Sequence, residues 1–364
     1  MIAFIVATPL QLFNSMMIMR HHFCNEKCNL FILDIACDMH SYVNMINSDN
    51  IESCYYFSKI YSHKSVFHTF WESIHTNEEQ KKILAEINKS EYSHLFTTWV
   101  GYSSTWIYTR LKKFNPNMKL HFYEEGIGVY IKDIRILAKR TVWLYKMLHM
   151  YYDMDFIQDI YMYSPQLCQD MNNLYPHIPI GMISDADRAV VGHSFKDNLS
   201  PYTSEIIYFE CNFQNSRFSD VDECEIVDFI SNALGAGRLV VRTHPRSNPL
   251  RYTNKGYCID RNCDKNWEIL MSLQSSLHDL VLISPFSSSI FYPKIMFDQE
   301  PRLIIIGKCI KNENPMLQDV EKFWPSNLDT MANALKLSYR DSSRVMIPEN
   351  YIELKEILNT IATV

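Results

Sequence analysis

Short apolar runs alternate with longer amphipathic stretches along most of the chain. In the first third, the β-rich runs IAFIVAT, NLFILDI and SCYYFS are separated by helical patterns, and the alternation continues to MKLHFYEEG. A second series contains the strand patterns EIIYFEC, RLVVRTHPR, DLVLISPFSSS and PRLIIIGK, separated by the helical stretches DECEIVDFISNALGAG and NWEILMSLQSSL. This alternation is typical of βαβ units and predicts a parallel sheet in each half.

The composition changes between Asp185 and Ser204, where a polar, proline-bearing stretch separates the two series. We therefore predict two α/β domains, residues 1–190 and 191–364, with a cleft between them. The segment Ile127–Tyr163 departs from the pattern, because Lys and Arg are interspersed among aromatic residues and Met, and it is predicted to be helical. A further long helix is expected from about Ser65 to Asn88.

The composition excludes several classes of protein. With 47% hydrophobic and 13% aromatic residues, the 364-residue chain can bury folded cores. A net charge of -6 without a basic stripe argues against nucleic-acid binding. The opening MIAFIVATPLQLF fits a first buried strand better than a signal peptide, and no run of about 18 apolar residues occurs. We therefore expect a cytoplasmic protein whose ten cysteines are reduced.

In open parallel sheets, ligands bind beyond the carboxyl ends of the strands, so the residues that follow each strand are candidate site residues. The strand in KLHFYEEG ends at two adjacent carboxylates, Glu124 and Glu125, followed by Gly126. Repulsion between the carboxylates would raise one pKa, and the glycine suggests close approach of the backbone to a ligand or a positive φ. The alternative is an ordinary solvated turn.

Two strand ends in the second half favour anion binding. The first is a basic cluster with a proton donor, made of Arg242, Thr243, His244, Pro245 and Arg246. The second is a hydroxyl triplet that opens a predicted helix, made of Ser287, Ser288 and Ser289. Each motif alone is also an ordinary turn or helix cap, and their shared position at strand ends is what favours a site.

A resident metal or cofactor has little support in the sequence. Neither GxGxxG nor GxxxxGK[ST] occurs, which argues against dinucleotide and P-loop binding. No second ligand pair at zinc spacing accompanies the possible ligands His21, His22, Cys24 and Cys28. Three Asp-x-Asp pairs follow no strongly apolar strand, namely Asp153 and Asp155, Asp185 and Asp187, and Asp220 and Asp222. We predict that no metal and no cofactor is required.

The motifs of the two halves resemble, in order and spacing, those of bacterial sialyltransferases. The shared motifs are a carboxylate-carboxylate-Gly run, a His-Pro pair and a later serine pair, here Glu124 to Gly126, His244 with Pro245, and Ser287 to Ser289. The opening ATPLQLFN looks most like the lipooligosaccharide sialyltransferase group, glycosyltransferase family fifty-two. The resemblance implies a GT-B fold, with two Rossmann-like domains facing a central cleft. It also implies inverting, metal-independent transfer of sialic acid from CMP-sialic acid to a terminal galactose, with α-2,3 the expected linkage. The acceptor would be a bacterial surface glycan such as lipooligosaccharide, O-antigen or capsule.

Under this resemblance the motif residues receive roles. Glu125 is the favoured general base, and the other catalytic candidates are Glu124, Asp220, Asp222 and His244. The predicted donor-binding residues are Gly126, Arg242, Pro245, Glu268, Ser287, Ser288 and Ser289. For Glu268, a solvated helix position is the alternative to binding the ribose hydroxyls. Gln11 follows the first strand as an acceptor contact, where Thr8 and Pro9 also form a good helix start.

The expected partners are a nucleotide-sugar donor and a galactose-terminated glycan or glycolipid acceptor. The sequence leaves a homodimer open. The basic, aromatic segment Ile127–Tyr163 either packs on the sheet or presents residues such as Trp143 to an anionic membrane, so weak association with the inner face of the inner membrane is a hypothesis. Two alternative functions remain: a GT-B glycosyltransferase with another nucleotide sugar, such as a glucosyltransferase, and a non-catalytic protein that binds an anionic sugar.

Overall fold

A computed structural model of the protein describes residues 1–34, 39–45, 50–58, 90–98, 102–132, 156–168, 174–194, 202–203, 205–216, 218–235, 237–317, 320 and 322–363, with isolated positions 83, 85, 87, 134, 143, 146 and 147. The chain divides into two compact units, here called the first and second domains. The first comprises Met1–Gly181 with His193–Lys196, and the second comprises Met182–Gly192 with Asp197–Val364.

The first domain contains a parallel sheet of seven described strands in the order β3-β2-β1-β4-β5-β6-β7. The strands are β1 (Ile2–Val6), β2 (Cys28–Asp34), β3 (Ile51–Ser58), β4 (His94–Thr97), β5 (Lys119–Tyr123), β6 (Ile157–Met162) and β7 (His177–Pro179). The described helices are α1 (Pro9–His22), α2 (Met39–Met45), α3 (Tyr102–Phe114) and α4 (Gly128–Ile131), with a 3-10 turn at Pro165–Leu167. All five residues of β1 are buried, as expected for a central parallel strand covered on both faces.

The second domain contains a parallel sheet of six described strands in the order β10-β9-β8-β11-β12-β13. The strands are β8 (Ile206–Phe209), β9 (Leu239–Arg242), β10 (Cys258–Ile259), β11 (Val281–Ser284), β12 (Arg302–Ile305) and β13 (Val345–Met346). The helices are α5 (Asp185–Ser194), α6 (Glu223–Leu234), α7 (Leu250–Thr253), α8 (Trp267–Ser272), α9 (Tyr292–Phe297), α10 (Gly307–Glu313), α11 (Ser326–Ser338) and α12 (Tyr351–Ala362). Turns of 3-10 helix occur at Phe213–Asn215, Ser288–Ile290 and Ser342–Arg344.

Both sheets follow the same doubly wound order. In each, the chain adds three strands outward to one side and then returns to add the remaining strands on the other side. This is the Rossmann order, and its reversal creates a topological switch point between β1 and β4 in the first sheet and between β8 and β11 in the second. Two Rossmann-like domains in one chain confirm the predicted α/β fold class of GT-B type, while the predicted cleft between them stays a prediction.

The segment Ile127–Tyr163 is not helical throughout, which corrects the sequence prediction. Its end forms β6, where Ile160 and Met162 are fully buried within the sheet. The tertiary burial of these apolar residues outweighs the helical pattern of the preceding sequence. Most of this segment lies outside the described residues, so membrane association stays a hypothesis. Trp143, which is described, is 62% exposed.

The region predicted to link the domains is partly helical. Its first residues form α5, which lies mainly in the second domain. Asp187 is buried, and its Oδ2 accepts hydrogen bonds from the backbone N and the Oγ of Ser184 at 2.9 and 2.5 Å, which stabilises the start of the helix. The predicted helix Ser65–Asn88 lies outside the described residues except at three positions, and Asp153 and Asp155 lie outside them entirely. None of the described helices has the length and apolar character needed to cross a membrane.

Candidate functional site

The first candidate site in the first domain begins at the turn from β1 into α1. Thr8 is the N-cap of α1, and its Oγ1 accepts a hydrogen bond from the backbone N of Gln11 at 3.2 Å. Pro9 occupies the first helical position, where its missing N–H costs no intrahelical hydrogen bond. The predicted helix start is confirmed, and the cap fixes the backbone that carries Gln11.

The side chain of Gln11 is buried, with 2% of its surface exposed. Its Oε1 accepts a hydrogen bond from the backbone N of Ala7, and its Nε2 donates to Oε2 of Glu125, both at 2.6 Å. Both ends of the amide are therefore paired inside the first domain. This corrects the predicted acceptor contact, because Gln11 supports Glu125 instead of facing a ligand.

Glu124, the first residue after β5, is fully buried. Its Oε2 accepts hydrogen bonds from the Tyr130 hydroxyl at 2.5 Å and from the backbone N of Tyr163 at 2.9 Å. Its backbone O accepts from Nδ2 of Asn14 at 2.7 Å. These contacts anchor the loop to α1, α4 and the end of β6. Glu124 is thus enclosed, which corrects its candidacy as a base, since a substrate hydroxyl needs an accessible carboxylate.

Glu125 is exposed, in contrast to its neighbour. Partial loss of hydration raises the pKa of its carboxyl, while hydrogen bonds from Gln11 and Thr98 and the charge of Lys132 act in the opposite direction. The cause is therefore loss of water, whereas the sequence suggested repulsion from Glu124. Gly126 is not one of the described glycines that have a positive φ. A positive-φ turn is therefore not the reason for a glycine at this position.

In the second domain, the His-Pro motif follows β9. The Nδ1 of His244 accepts a hydrogen bond from the backbone N of Arg246 at 3.1 Å, and Nδ2 of Asn212 lies 3.5 Å from the same atom. An acceptor at Nδ1 places the proton of the neutral ring on Nε2. Burial, followed by the charge of Arg246, lowers the pKa of His244 to about 4. At neutral pH the ring is therefore an uncharged donor through Nε2–H. Pro245 beside it is exposed.

Two buried carboxylates, which the sequence analysis missed, shape the loops after β8 and β9. Glu223 accepts hydrogen bonds from the backbone N of Cys211 at 2.6 Å and from that of Phe213 at 2.9 Å. Glu210 accepts from the backbone N of His244 at 2.8 Å and from the Tyr252 hydroxyl at 3.1 Å. Glu210 directly follows the apolar strand β8, and that position was the available signal.

The side chain of Arg242, which was predicted to bind the donor, makes its contacts with residues of the second domain. Its guanidinium forms an ion pair with Asp260, donates to the backbone O of Asn262 at 3.0 Å and to that of Lys265, and lies over the ring of Trp267. Only 8% of the side chain is exposed. This corrects its predicted role, since a basic residue at a strand end can equally neutralise a carboxylate of its own domain.

The alternative bases Asp220 and Asp222 differ in their environment. Asp222 is the N-cap of α6, where its Oδ1 accepts from the backbone N of Cys224 at 2.9 Å and from Nη2 of Arg251 at 2.8 Å. Its carboxylate stabilises the helix start, which argues against a role as base. Asp220 lies exposed in the preceding turn, and its candidacy stays a prediction.

The serine triplet opens a turn instead of an α-helix. Ser287 precedes the 3-10 turn Ser288–Ile290 and makes no side-chain cap, so the predicted helix cap is wrong. Its backbone N donates to the Oγ of Ser284 at 3.1 Å, and α9 begins four residues after the turn starts, with proline in its first turn. The hydroxyl residues Ser287, Ser288 and Ser289 are half-buried.

Glu268 lies in the first turn of the short helix α8 and is 5% exposed. Burial raises the pKa of its carboxyl, with the charge of Arg242 among the opposing influences. The alternative of a solvated helix residue is therefore wrong, and the predicted donor contact stays a prediction.

The residues that remain candidates follow strands near the switch points of the two sheets. In the first sheet, Glu125 follows β5, the strand beside β4. In the second sheet, the serines follow the switch-point strand β11, and His244 follows β9, the strand beside β8. Each set thus occupies the carboxyl edge near the switch point, where Rossmann-like sheets bind ligands.

Within the described part of the chain, no three His, Cys, Asp or Glu side chains come together as a possible metal site. Three of the four residues considered as zinc ligands have other surroundings. Nδ1 of His21 lies 2.7 Å from the backbone O of Ile180, and Nε2 of His22 lies 2.9 Å from that of Pro179. Cys28 is buried in β2.

Comparison with known proteins gives likeness of structure alone. No family model matches the chain, and no curated protein matches its sequence. Arabidopsis thaliana UGT89C1 complexed with quercetin is 8% identical with a TM-score of 0.49, covering 100% of this chain and 90% of the other. Methanocaldococcus jannaschii UDP-GlcNAc 2-epimerase is 9% identical with a TM-score of 0.48, and the match covers 100% of this chain and 93% of the epimerase. E. coli heptosyltransferase WaaC is 8% identical with a TM-score of 0.45, and the match covers 99% of each chain. Likeness of this degree says nothing about the reaction, and the fold assignment stands on the strand orders.

Proposed function

We propose that the protein is an inverting glycosyltransferase that moves sialic acid from CMP-sialic acid to a terminal galactose of a bacterial surface glycan. The observation that carries the proposal is the placement of its motif residues. The carboxylate Glu125 and the donor His244 each follow a strand near the switch point of a Rossmann-like sheet. The motif order that resembles sialyltransferases thus coincides with the ligand-binding edges of both sheets.

Glu125 is assigned as the general base. The oxygen of the acceptor hydroxyl attacks the anomeric carbon of sialic acid, and its proton passes to the Glu125 carboxylate. Exposure makes the carboxylate accessible, and its raised pKa brings its basicity closer to what proton abstraction at neutral pH needs. Attack from the face opposite the leaving group gives inversion at the anomeric carbon.

His244 is assigned to the leaving phosphate. The bond between the anomeric carbon and the CMP oxygen breaks, and CMP departs with the electron pair. The neutral His244 ring donates through Nε2–H, because Nδ1 already accepts from the backbone N of Arg246. A donor held in place by Glu210 and the loop backbone costs little reorganisation when charge develops on the phosphate.

The donor is assigned to the second domain. Half-buried hydroxyls at Ser287 to Ser289 suit phosphate oxygens, and the buried Glu268 suits a pair of ribose hydroxyls. Hydrogen-bond donors of this kind can stabilise a departing monophosphate without a divalent cation. We therefore propose that transfer is independent of metal.

The test is release of CMP from CMP-sialic acid with lactose as acceptor and EDTA present. Wild type is compared with Glu125→Gln and His244→Ala, and with His278→Ala as a matched control on an exposed histidine of the second domain. We expect lactose-dependent release that persists in EDTA, falls about a hundredfold or more without either motif residue, and is unchanged in the control.

The remaining outcomes contradict the proposal in different ways. Consumption of UDP-glucose or UDP-galactose, with CMP-sialic acid untouched, makes the protein a glycosyltransferase of another donor. Binding of sialic acid without turnover, unaffected by Glu125→Gln, makes it a sugar-binding protein. Release that stops in EDTA and returns with Mg²⁺ removes the metal-independent mechanism.

A further inference from the structure

The amide of Gln11 has a defined orientation, although the oxygen and nitrogen of such a group have nearly the same shape. The backbone N–H of Ala7 points at one end of the amide from 2.6 Å, and only an oxygen can accept it. The other end is therefore the NH₂ group, which must donate to Oε2 of Glu125. The backbone of Ala7 thereby determines which group faces the carboxylate.

We propose that Gln11 is the positioning residue that holds the Glu125 carboxylate in one orientation and favours its ionised form, an inference that rests on the proposed role of Glu125 as base. A buried side chain on a capped helix is a rigid support. A rigid donor keeps the carboxylate aimed at one place, as a base requires for proton transfer.

Several charged and titratable groups surround Glu125 and influence its pKa together with the hydrogen bond from Gln11. The hydrogen bonds from Gln11 and Thr98 and the charge of Lys132, after α4, lower the pKa of Glu125, whereas partial loss of hydration raises it. Tyr123 on β5 is fully buried with its own pKa raised well above the usual value, so it stays uncharged at neutral pH. Glu124 adjoins in sequence but is enclosed by its own partners. The Gln11 amide donates to the carboxylate at 2.6 Å, and Thr98, after β4, is a second side-chain hydrogen-bond partner of Glu125.

The experiment measures the titration of Glu125 itself. Protein labelled with ¹³C at the glutamate carboxyl is titrated by NMR, and the Glu125 signal is assigned by its loss in Glu125→Gln. Gln11→Met removes the donor, and we expect the pKa of Glu125 to rise by about one unit, since a hydrogen bond to a charged group is lost. Gln11→Glu keeps an oxygen for Ala7 but faces Glu125 with a second carboxyl, and the upper apparent pKa of the pair should rise further.

The matched control is Asn14→Leu, one turn further along α1. Asn14 is also a buried amide, but it donates to the backbone O of Glu124 at 2.7 Å instead of to the Glu125 carboxylate. This variant should lose stability without moving the titration of Glu125. An unmoved titration in either folded Gln11 variant, or an equal shift in the Asn14 control, overturns the inference.

Activity separates this inference from the proposed function. If transfer occurs, the acid limb of the kcat/KM pH profile should shift upward with the NMR pKa in the Gln11 variants, with activity regained at higher pH. If no transfer occurs in wild type but the Gln11 variants shift the titration, the proposed reaction is wrong and the support of Glu125 by Gln11 stands. If transfer occurs with an unshifted acid limb, Gln11 does not position the base.

Discussion

Replacing Arg242 with leucine should destabilise the second domain strongly, even though sequence reasoning placed this arginine in the donor site. The substitution keeps an apolar stem against Trp267 and removes the guanidinium that pairs with Asp260. Asp260 then keeps its hydrogen bonds from the Tyr202 hydroxyl at 2.8 Å and from the backbone N of Asn262 at 3.0 Å, but loses its positive partner.

The magnitude follows from burial. The side chains of Arg242 and Asp260 are 8% and 1% exposed, and breaking such a pair costs about 3 to 5 kcal/mol because a charge stays buried without compensation. For a domain of this size that corresponds to a fall in Tm of roughly 6 to 20 °C. The double variant Arg242→Leu/Asp260→Asn should cost less than the sum of the single changes, because it leaves no uncompensated charge.

The matched control is Arg261→Leu in the same domain. Arg261 also pairs with a carboxylate, Glu205 at 3.2 Å, and also lies over an aromatic ring, that of Tyr202, but it is 48% exposed. Its loss should cost less than about 1 kcal/mol. Differential scanning calorimetry of wild type and variants measures the comparison. Equal Tm shifts for both arginines, or weaker CMP binding in Arg242→Leu without lost stability, would refute the reasoning.

Two further changes test other parts of the structure. Gly181 has φ +100°, and a Cβ there would lie 2.8 Å from Nδ1 of His21, so Gly181→Ala should cost about 2 kcal/mol in chemical denaturation. Gly256→Ala, at φ +84° with open space around it, should cost about 1 kcal/mol, and equal losses would exclude the contact with His21 as a cause. Burial, followed by the charge of His121, lowers the pKa of His94 to about 4. The unfolded chain then binds more protons between about pH 6.5 and 4, so stability is full above this window and is lost as pH falls, by at most about 1.4 kcal/mol per pH unit. His94→Gln should lose less stability between pH 7 and 5 than wild type, and an unchanged loss would contradict the assignment.

The strands that could be predicted from the sequence are those buried along their whole length, because burial requires a continuous apolar run. The apolar runs of β1 and β11 are buried along their length and were recognisable without context. Strand β6 was hidden at the end of an aromatic, Met-rich segment, and β7, only three residues long and ending in proline, carries no periodicity that sequence could show.

The sequence shows which polar residues follow strands, but it does not show which side chains they contact in the folded domains. A polar residue after an apolar strand is visible in sequence, and the structure places Glu125 and His244 at such strand ends, while their roles stay predictions. Whether a side chain there faces a ligand depends on neighbours distant in sequence, such as Asp260 for Arg242 and Glu125 for Gln11. Sequence spacing carries no information on those contacts, so it named charged residues that the folded domains use internally.

The assignment of the candidate base to the first domain and of the phosphate-binding residues to the second has a consequence for how such a protein can evolve. Each domain has its own core and its own Rossmann order. Under the proposed function, substitutions that alter the choice of nucleotide can accumulate in the second domain without disturbing the support of Glu125 by Gln11. Recombination at the region between the domains would then exchange donor preference while keeping acceptor preference, so that new glycan structures arise from existing halves.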